Sequence, residues 1–158
     1  MEKHLTATVY VWQESKVLLL KHPKHNKWLP PGGHVEINET PPDCARREVL
    51  EETGLQVELI REEHLWLKTE GVISCERPFM CLIENIPAHK EQPAHQHIDF
   101  IYLGYPIGGS LHPLPAEELR WFTVQEVLAL PSPTEIFPDI QETIATLQNL
   151  GKVFSQQR

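Results

Sequence analysis

Hydrophobic and polar residues alternate near the start of the chain. Between residues 5 and 12 the two sides of the alternation are Ala7, Val9 and Val11 on one and Thr6, Thr8, Tyr10 and Trp12 on the other. Successive side chains of a β-strand point to opposite faces of a sheet, so this period of two predicts a strand. A polar turn at residues 13–16 and an apolar run at 17–20 predict the returning strand of a hairpin.

Later segments predict further strands and two helices. Apolar runs predict strands over residues 57–67, 79–83, 98–103 and 119–122. Thr123 and Glu126 have the spacing of a capping box, which predicts a short helix through Leu130. A last helix, ended by Gly151, is predicted from apolar residues at helical spacing, namely Ile140, Ile144, Leu147 and Leu150. With no repeat and no linker composition, this order predicts one α+β domain over residues 1–158.

A loop followed by a helix is predicted over residues 29–54. Paired glycines at positions 32 and 33 follow Leu-Pro-Pro and allow close approach of the backbone to a ligand. Thr40 is a favourable N-cap, Pro41 suits the first helical position, and Asp43 completes a start similar to a capping box. Gly54 is placed to end the helix after an uninterrupted run from Asp43.

Three glutamates of this helix lie in one quadrant. Glu48, Glu51 and Glu52 are related as i, i+3 and i+4, and each residue of a helix turns the direction by about 100°. The three carboxylates repel one another. A hard divalent cation, Mg²⁺ or Mn²⁺, bound to their oxygens makes the arrangement favourable. The alternative is a solvated, glutamate-rich surface. Arg47 can pair with Glu51 one turn later, or reach back to Glu39 and brace the loop.

The segment from Gly33 to Leu55 resembles the Nudix box, G-x5-E-x7-R-E-U-x-E-E-x-G-U with U an aliphatic residue. The matched positions are Gly33, Glu39, Arg47, Glu48, Val49, Glu51, Glu52, Gly54 and Leu55. The resemblance implies an α/β/α sandwich with a mixed β-sheet and a loop-helix-loop motif. It also implies hydrolysis of a nucleoside diphosphate linked to another group, with Mg²⁺ or Mn²⁺ as the cofactor.

The resemblance also implies roles for individual residues. Glu48 and Glu52 are expected as direct metal ligands, with Glu51 binding a second ion or acting through water and Gly33 contributing backbone groups. Glu51, Glu52 and Arg47 are the expected catalytic residues. The general base is left open among a box glutamate and later residues, namely Glu117, Glu118, His95, His97 and Asp99.

Substrate contacts are expected from flat or polar side chains. The aromatic candidates are Trp28, Trp66, Phe79, Tyr102 and Trp121. The predicted substrate set is Trp28, Tyr102, His97 and Glu118. His95, His97 and Asp99 alternate along the chain, so they share one face of a strand or its lead-in. A polar strand face or a wall of the substrate site is the favoured interpretation, and a transition-metal site is the alternative.

Composition narrows the classes of partner and location. The net charge is −8 and no basic block occurs, which argues against a long nucleic acid as partner but allows a small anion that arrives with its own magnesium. Three cysteines without a C-x-x-C pair argue for a reducing compartment and against a disulfide framework or a structural zinc site. No apolar run of membrane-spanning length and no signal-peptide layout occur, so the predicted location is cytoplasmic.

The substrate class follows from signatures that this sequence lacks. The sequence features expected for Nudix proteins acting on ADP-ribose, diadenosine polyphosphates, coenzyme A or NADH are missing, which leaves nucleoside triphosphates and related compounds as the predicted substrates. One alternative function is a Nudix-fold sensor that binds a nucleotide without hydrolysis. Another is an isomerase of the isopentenyl-diphosphate type, which needs a reactive cysteine such as Cys44 or Cys81. Homodimerisation is left open.

Overall fold

The computed structural model describes residues 1–114 and 117–152. Its strands are β1 Lys3–Gln13, β2 Lys16–His22, β3 Lys27–Leu29, β4 Gly32–His34, β5 Leu55–Leu59, β6 Lys68–Thr69, β7 Val72–Ile73, β8 Met80–Ile86, β9 His95–Gly109 and β10 Glu118–Thr123. Its helices are α1 Pro41–Thr53, α2 Val124–Ala129 and α3 Pro138–Asn149. Across these described residues, no helix has the length and hydropathy needed to cross a bilayer.

The main sheet is mixed and is built around β1. Its path runs β10-β2-β1-β9-β5, while β3 pairs with β2, β4 with β1, and β8 with β9. β1 runs parallel to β9, from the Lys3–Gln96 pair to the Val11–Gly104 pair, and antiparallel to β2 and β4. β6 and β7 form a separate two-stranded sheet. The first half of β1 therefore lies between β4, at a sheet edge, and β9.

Helices cover both faces of the sheet. On one face, Ala7, Val9 and Val11 pack in a core with Cys44, Ala45 and Val49 of α1. On the other face, Tyr10 and Trp12 pack in a second core with Val124 and Val127 of α2 and Ile140, Ile144 and Leu147 of α3. The predicted alternation in β1 is confirmed, but both of its sides are largely buried because helices lie on both faces. This is the predicted α/β/α sandwich.

Most predicted elements are confirmed, and their boundaries show where the patterns misled. The β1–β2 hairpin and the Thr123–Glu126 capping box are both present. The strand predicted over residues 57–67 is present but much shorter, because β5 runs from Leu55 to Leu59 and the polar residues 61–64 follow one residue later. β9 begins at His95, three residues earlier than predicted, and continues to Gly109. The three-residue strands β3 and β4 are too short for any periodicity to reveal.

Helix α1 is fixed at both ends. The Thr40 hydroxyl accepts a hydrogen bond from the Asp43 amide at 3.3 Å, as predicted. Gly54 ends the helix with a φ of 81°, and its amide donates to the Leu50 carbonyl. A β-carbon at Gly54 would lie 2.3 Å from the carbonyl oxygen of Ser110, so the helix end packs directly against the segment after β9. The position of α1 along the sheet, and with it the position of its carboxylates, is therefore fixed.

Candidate functional site

The carboxylate of Glu48 occupies the space that a side chain at position 33 would need. A β-carbon built on Gly33 would lie 2.3 Å from Oε1 of Glu48 and 2.4 Å from its Cδ. Gly33 is in β4, opposite Ala7 of β1, so this close approach brings α1 against the edge of the sheet. Burial raises the pKa of the Glu48 carboxyl, which lies within reach of the Arg47 guanidinium.

Glu52 points at the same glycine pair from the next turn of α1. Its Oε1 accepts a hydrogen bond from the backbone N–H of Gly32 at 2.8 Å. Burial raises the pKa of Glu52 to about 8, and the neighbouring charges of Glu48, Glu117 and Glu51 act in the same direction. A buried carboxylate surrounded by other carboxylates lacks a counter-charge, which a divalent cation supplies.

Arg47 connects the helix carboxylates to the preceding loop. Its Nε and Nη2 donate to the two carboxylate oxygens of Glu39, at 3.0 and 2.6 Å, in a bidentate pair. This pair lowers the pKa of Glu39 to about 2, with the Arg47 hydrogen bond as the main cause. Nη1 donates to Glu48 at 2.9 Å and to Glu51 at 3.2 Å, and Nη2 also donates to the carbonyl of His34. Both contacts considered for Arg47 from sequence, with Glu51 and with Glu39, are present.

The donor set suits a hard divalent cation. Oxygen atoms of Glu48 and Glu52 converge at the glycine pair, while the Glu51 side chain is 57% exposed on the outer side. Mg²⁺ and Mn²⁺ prefer carboxylate oxygens and keep several waters, so a partly open cluster of this kind fits them. The residues present therefore fit the metal that the motif implies.

Of the two glutamates at the start of β10, the structure brings Glu117 to the cluster. The charge of Glu117 contributes to the raised pKa of Glu52, and its buried Oε2 has no hydrogen-bond partner among residues 1–114 and 117–152. Glu118 is exposed and lies opposite Lys21 of β2. The predicted substrate contact at Glu118 stays a prediction, and Glu117 is the one of the two whose charge acts on Glu52.

A groove on the α3 side of the sheet begins at a residue that lies in the same row of paired residues across the strands as Gly32. Its volume is about 270 Å³, and its lining includes Phe79, Met80, Leu82, Asp139 and Thr143. Met80 pairs with Ile101, Ile101 with Thr8, and Thr8 with Gly32. Four strands thus place the groove and Gly32 in one row of the sheet, separated by three strand spacings or about 14 Å.

Two predicted substrate contacts are wrong because their rings are in the core. Trp28 is 5% exposed and packs edge-to-face against Phe122, with ring centroids 4.9 Å apart. Tyr102 is 2% exposed and packs beneath α1 with Val9. Neither ring offers a free face on which a base could stack. Among the aromatic candidates, Phe79 lines the groove.

His97 and Asp99 share a face of β9 but have different neighbours. Both oxygens of Asp99 accept from the Thr8 hydroxyl, at 3.0 and 2.9 Å. The rings around His97 are those of His4, His34 and His95. Burial is the main cause that lowers the pKa of His97 to about 4, and the charges of these three histidines act in the same direction. No pattern in the sequence indicates that His4 and His34 join this group, because their approach depends on the register of β1, β4 and β9.

The cysteines do not provide a reactive thiolate at the carboxylate cluster. Cys44 is buried, its thiol lies 3.4 Å from the carbonyl oxygen of His34, and burial raises its pKa to about 12. Cys81 is exposed on β8. A thiol with a raised pKa is a poor nucleophile and a poor acid at neutral pH, so Cys44 does not support the isomerase alternative.

Comparisons with known proteins agree with this geometry. The NUDIX domain profile matches residues 2–146. A probable DHNTP pyrophosphohydrolase of Lactococcus lactis subsp. cremoris is 36% identical over 99 residues, which cover 63% of this chain and 52% of the relative. An RNA pyrophosphohydrolase of Bartonella henselae is 38% identical over 60 residues, 35% of each chain. The chain thus matches about half or less of the length of these curated relatives.

A solved structure extends the likeness over the whole fold. The crystal structure of a NUDIX family hydrolase from Clostridium perfringens superposes with a TM-score of 0.76 and 27% sequence identity. The match covers 95% of this chain and 99% of that one.

Proposed function

Because the chain belongs to the Nudix family, we propose that it is an Mg²⁺-dependent pyrophosphohydrolase acting on nucleoside diphosphates linked to another group. Nucleoside triphosphates and related nucleotides are the proposed substrates, and the chain is proposed to act as one domain. The observation that carries the proposal is the convergence of the Glu48 and Glu52 carboxylates on Gly32 and Gly33. A sheet edge without side chains faces two partly buried carboxylates there, which suits a metal and a phosphate chain.

The proposed metal ligands are Glu48 and Glu52, with the backbone of Gly33, and with Glu51 holding a second ion or a water. When bound, Mg²⁺ neutralises charge on the diphosphate and lowers the pKa of a coordinated water. Mn²⁺ is the proposed substitute because it prefers the same oxygen donors. Arg47 keeps the carboxylates in place by tying them to Glu39, and its contact with the His34 carbonyl ties the loop to the helix.

The proposed reaction is attack of water on one phosphorus of the diphosphate bridge. The water oxygen forms a new bond to phosphorus, and the bridging P–O bond breaks with its electron pair leaving on the departing phosphate or pyrophosphate. Glu117 is the proposed general base, since its buried Oε2 has no hydrogen-bond partner in the described part of the chain and its charge acts on Glu52. The proton of the attacking water moves to this oxygen.

The organic part of the substrate is proposed to lie in the groove beside α3. The row from Gly32 to Met80 spans about 14 Å, which is the scale of an extended nucleotide, and Phe79 offers an aromatic surface at its far end. The names of the two relatives, pyrophosphohydrolases of DHNTP and of RNA, support anhydride cleavage in compounds of this type. The three free cysteines support a cytoplasmic location.

The test is release of phosphate from a panel of nucleoside triphosphates, nucleotide sugars and dinucleotides with Mg²⁺. Each reaction is run once with inorganic pyrophosphatase and once with alkaline phosphatase. Signal with pyrophosphatase identifies a triphosphate cleaved to a monophosphate and pyrophosphate. For the nucleotide sugars and dinucleotides, which alkaline phosphatase does not hydrolyse by itself, signal only with alkaline phosphatase identifies a diphosphate-bridged substrate cleaved to two monophosphates. The Glu52→Gln variant is the matched control, because it removes the charge and keeps the shape.

Metal-dependent release that disappears in Glu52→Gln supports the proposal. No release from any compound, together with nucleotide binding by calorimetry, refutes it and favours the sensor alternative. Light scattering of the same sample tests whether the protein is a homodimer.

A further inference from the structure

Four histidines converge at the end of the sheet where β1, β4 and β9 meet. This histidine cluster consists of His4, His34, His95 and His97. His4 of β1 pairs with His97 of β9, and Thr6, the next residue of β1 on that face, pairs with His34 of β4. The ring centroids of neighbouring members lie 4.4 to 5.5 Å apart. None of these residues belongs to the carboxylate cluster of α1.

The ring nitrogens of the cluster are arranged as ligands. One nitrogen each from His4, His34 and His97 lies within 4.8 Å of the other two. A tetrahedral zinc site needs about 3.4 Å between ligating nitrogens, given Zn–N bonds of about 2.0 Å. His34 is exposed, and a change of its side-chain rotamer would bring its nitrogen closer to the other two.

His4 has one nitrogen oriented by a carboxylate and one without a partner. Its Nε2 lies 3.2 Å from Oε1 of Glu2, while its Nδ1 is buried and makes no hydrogen bond within the described part of the chain. A buried polar nitrogen without a partner is costly. Metal-binding histidines commonly donate one ring N–H to a carboxylate and present the other nitrogen to the ion. His4 has this arrangement.

The ring of His95 is also oriented through one of its nitrogens, which leaves the other nitrogen for an ion. Its Nδ1 lies 3.0 Å from the carbonyl oxygen of Pro93, which fixes this nitrogen as the donor and leaves Nε2 as an acceptor. That Nε2 is 3.2 Å from Nε2 of His97. Two imidazole nitrogens at this separation match adjacent positions around a tetrahedral ion.

We propose that the histidine cluster binds Zn²⁺ or another divalent transition ion that prefers imidazole, at a site separate from the Mg²⁺ site. Imidazole nitrogen suits Zn²⁺, Co²⁺, Ni²⁺ and Cu²⁺, whereas Mg²⁺ prefers oxygen. The expectation against a structural zinc site rested on the missing C-x-x-C pair, and histidine ligands need no such pair. A bound ion ties β4 to β9, and because the His34 carbonyl accepts from Arg47, it also holds the loop that carries Gly33.

The experiment is a titration of the whole, metal-free protein with CoCl₂ and with ZnCl₂. Tetrahedral Co²⁺ with nitrogen ligands gives visible absorption bands, and Zn²⁺ binding is followed by calorimetry and melting. We expect the bands to appear, and Zn²⁺ at 100 times its Kd to raise Tm by about 5 °C or more. His97→Ala and His34→Ala should each abolish the bands and weaken Zn²⁺ binding at least about tenfold.

Two controls separate this site from others. Glu52→Gln removes a ligand of the carboxylate site, and His25→Ala disrupts a second histidine pair, whose rings lie 5.0 Å apart. Both should keep the bands. His34 is exposed, so its variant tests the proposal even where His97→Ala lowers stability without metal. Unchanged bands in both His97→Ala and His34→Ala, or bands lost in Glu52→Gln alone, overturn the proposal. Neither result depends on the hydrolase activity.

Discussion

The contact between Gly33 and Glu48 predicts a variant that damages the proposed metal site while leaving the fold intact. In Gly33→Ala, the new β-carbon would lie 2.3 Å from Oε1 of Glu48. Since Gly33 does not have a positive φ, alanine adds no backbone strain. The atoms that must yield are at the end of a flexible side chain, which must retreat by about 1.1 Å to reach an ordinary contact of about 3.4 Å.

That retreat determines the expected size of the effect. Metal–ligand distances tolerate only about 0.2 Å, and a misplacement of about 1 Å near the reacting groups costs about 100-fold in rate. We therefore expect kcat/KM to fall by about 100-fold. The free energy of unfolding should change by less than about 0.5 kcal/mol, or about 2 °C in Tm, because no core contact is lost.

The adjacent glycine provides a matched contrast. In Gly32→Ala, the β-carbon would lie 2.5 Å from the carbonyl oxygen of Ala7 and 2.9 Å from Cα of Thr8. Backbone cannot move aside as a side chain does, so overpacking should destabilise this variant by about 1–3 kcal/mol. Melting curves of the two alanine variants therefore distinguish damage to the site from damage to the sheet.

A double-mutant cycle tests whether the effect passes through Glu48. Hydrolysis is measured for Gly33→Ala, for Glu48→Ala and for the two combined. If the displaced carboxylate is the cause, adding Gly33→Ala to Glu48→Ala changes the rate little. A Gly33→Ala enzyme within threefold of the wild type, or an equal loss in the Glu48→Ala background, would refute the reasoning.

Three further predictions concern single side chains. Glu52→Gln should fold normally and lose about 100-fold or more in turnover; near-full activity with unchanged metal dependence removes this residue from the mechanism. Arg47→Lys should lower both activity and Tm, the latter by about 3 °C, since lysine cannot make the bidentate pair with Glu39; a loss of rate without a loss of melting temperature contradicts the bracing role. Burial and the neighbouring Asp99 raise the pKa of Glu84, so the folded protein keeps a proton that the unfolded chain releases, and this pair makes stability fall as pH rises above the ordinary carboxyl range. Glu84→Gln should reduce that fall, and Tm curves of the two proteins that stay parallel between about pH 5 and pH 9 would contradict it.

The residues of the carboxylate cluster could be predicted because local geometry determines their positions. Glu48 and Glu52 are four residues apart on one helix, and the cap at Thr40 and the stop at Gly54 define that helix without help from the rest of the fold. The alternation in β1 is likewise local. Such features need only the chain's own periodicity.

The rest of the site depends on contacts between distant segments. The sequence does not distinguish an aromatic residue that faces a groove from one that faces a core. Trp28 and Tyr102 are in the core because α2 packs over Trp28 and α1 packs over Tyr102. The histidine cluster depends on the register of three strands. Glu117 and Glu118 are adjacent in sequence, and only the start of β10 determines which one is near Glu52.

The parallel pairing of β1 with β9 has a consequence for the order in which the chain folds. The two strands are joined by pairs such as Lys3–Gln96, more than 90 residues apart, so the central contact of the sheet forms only after most of the chain exists. A fragment of residues 1–60 would hold every carboxylate of the motif but would leave one side of β1 unpaired. The motif is contiguous in sequence, yet the sheet on which its helix α1 packs is complete only once β9 is in place.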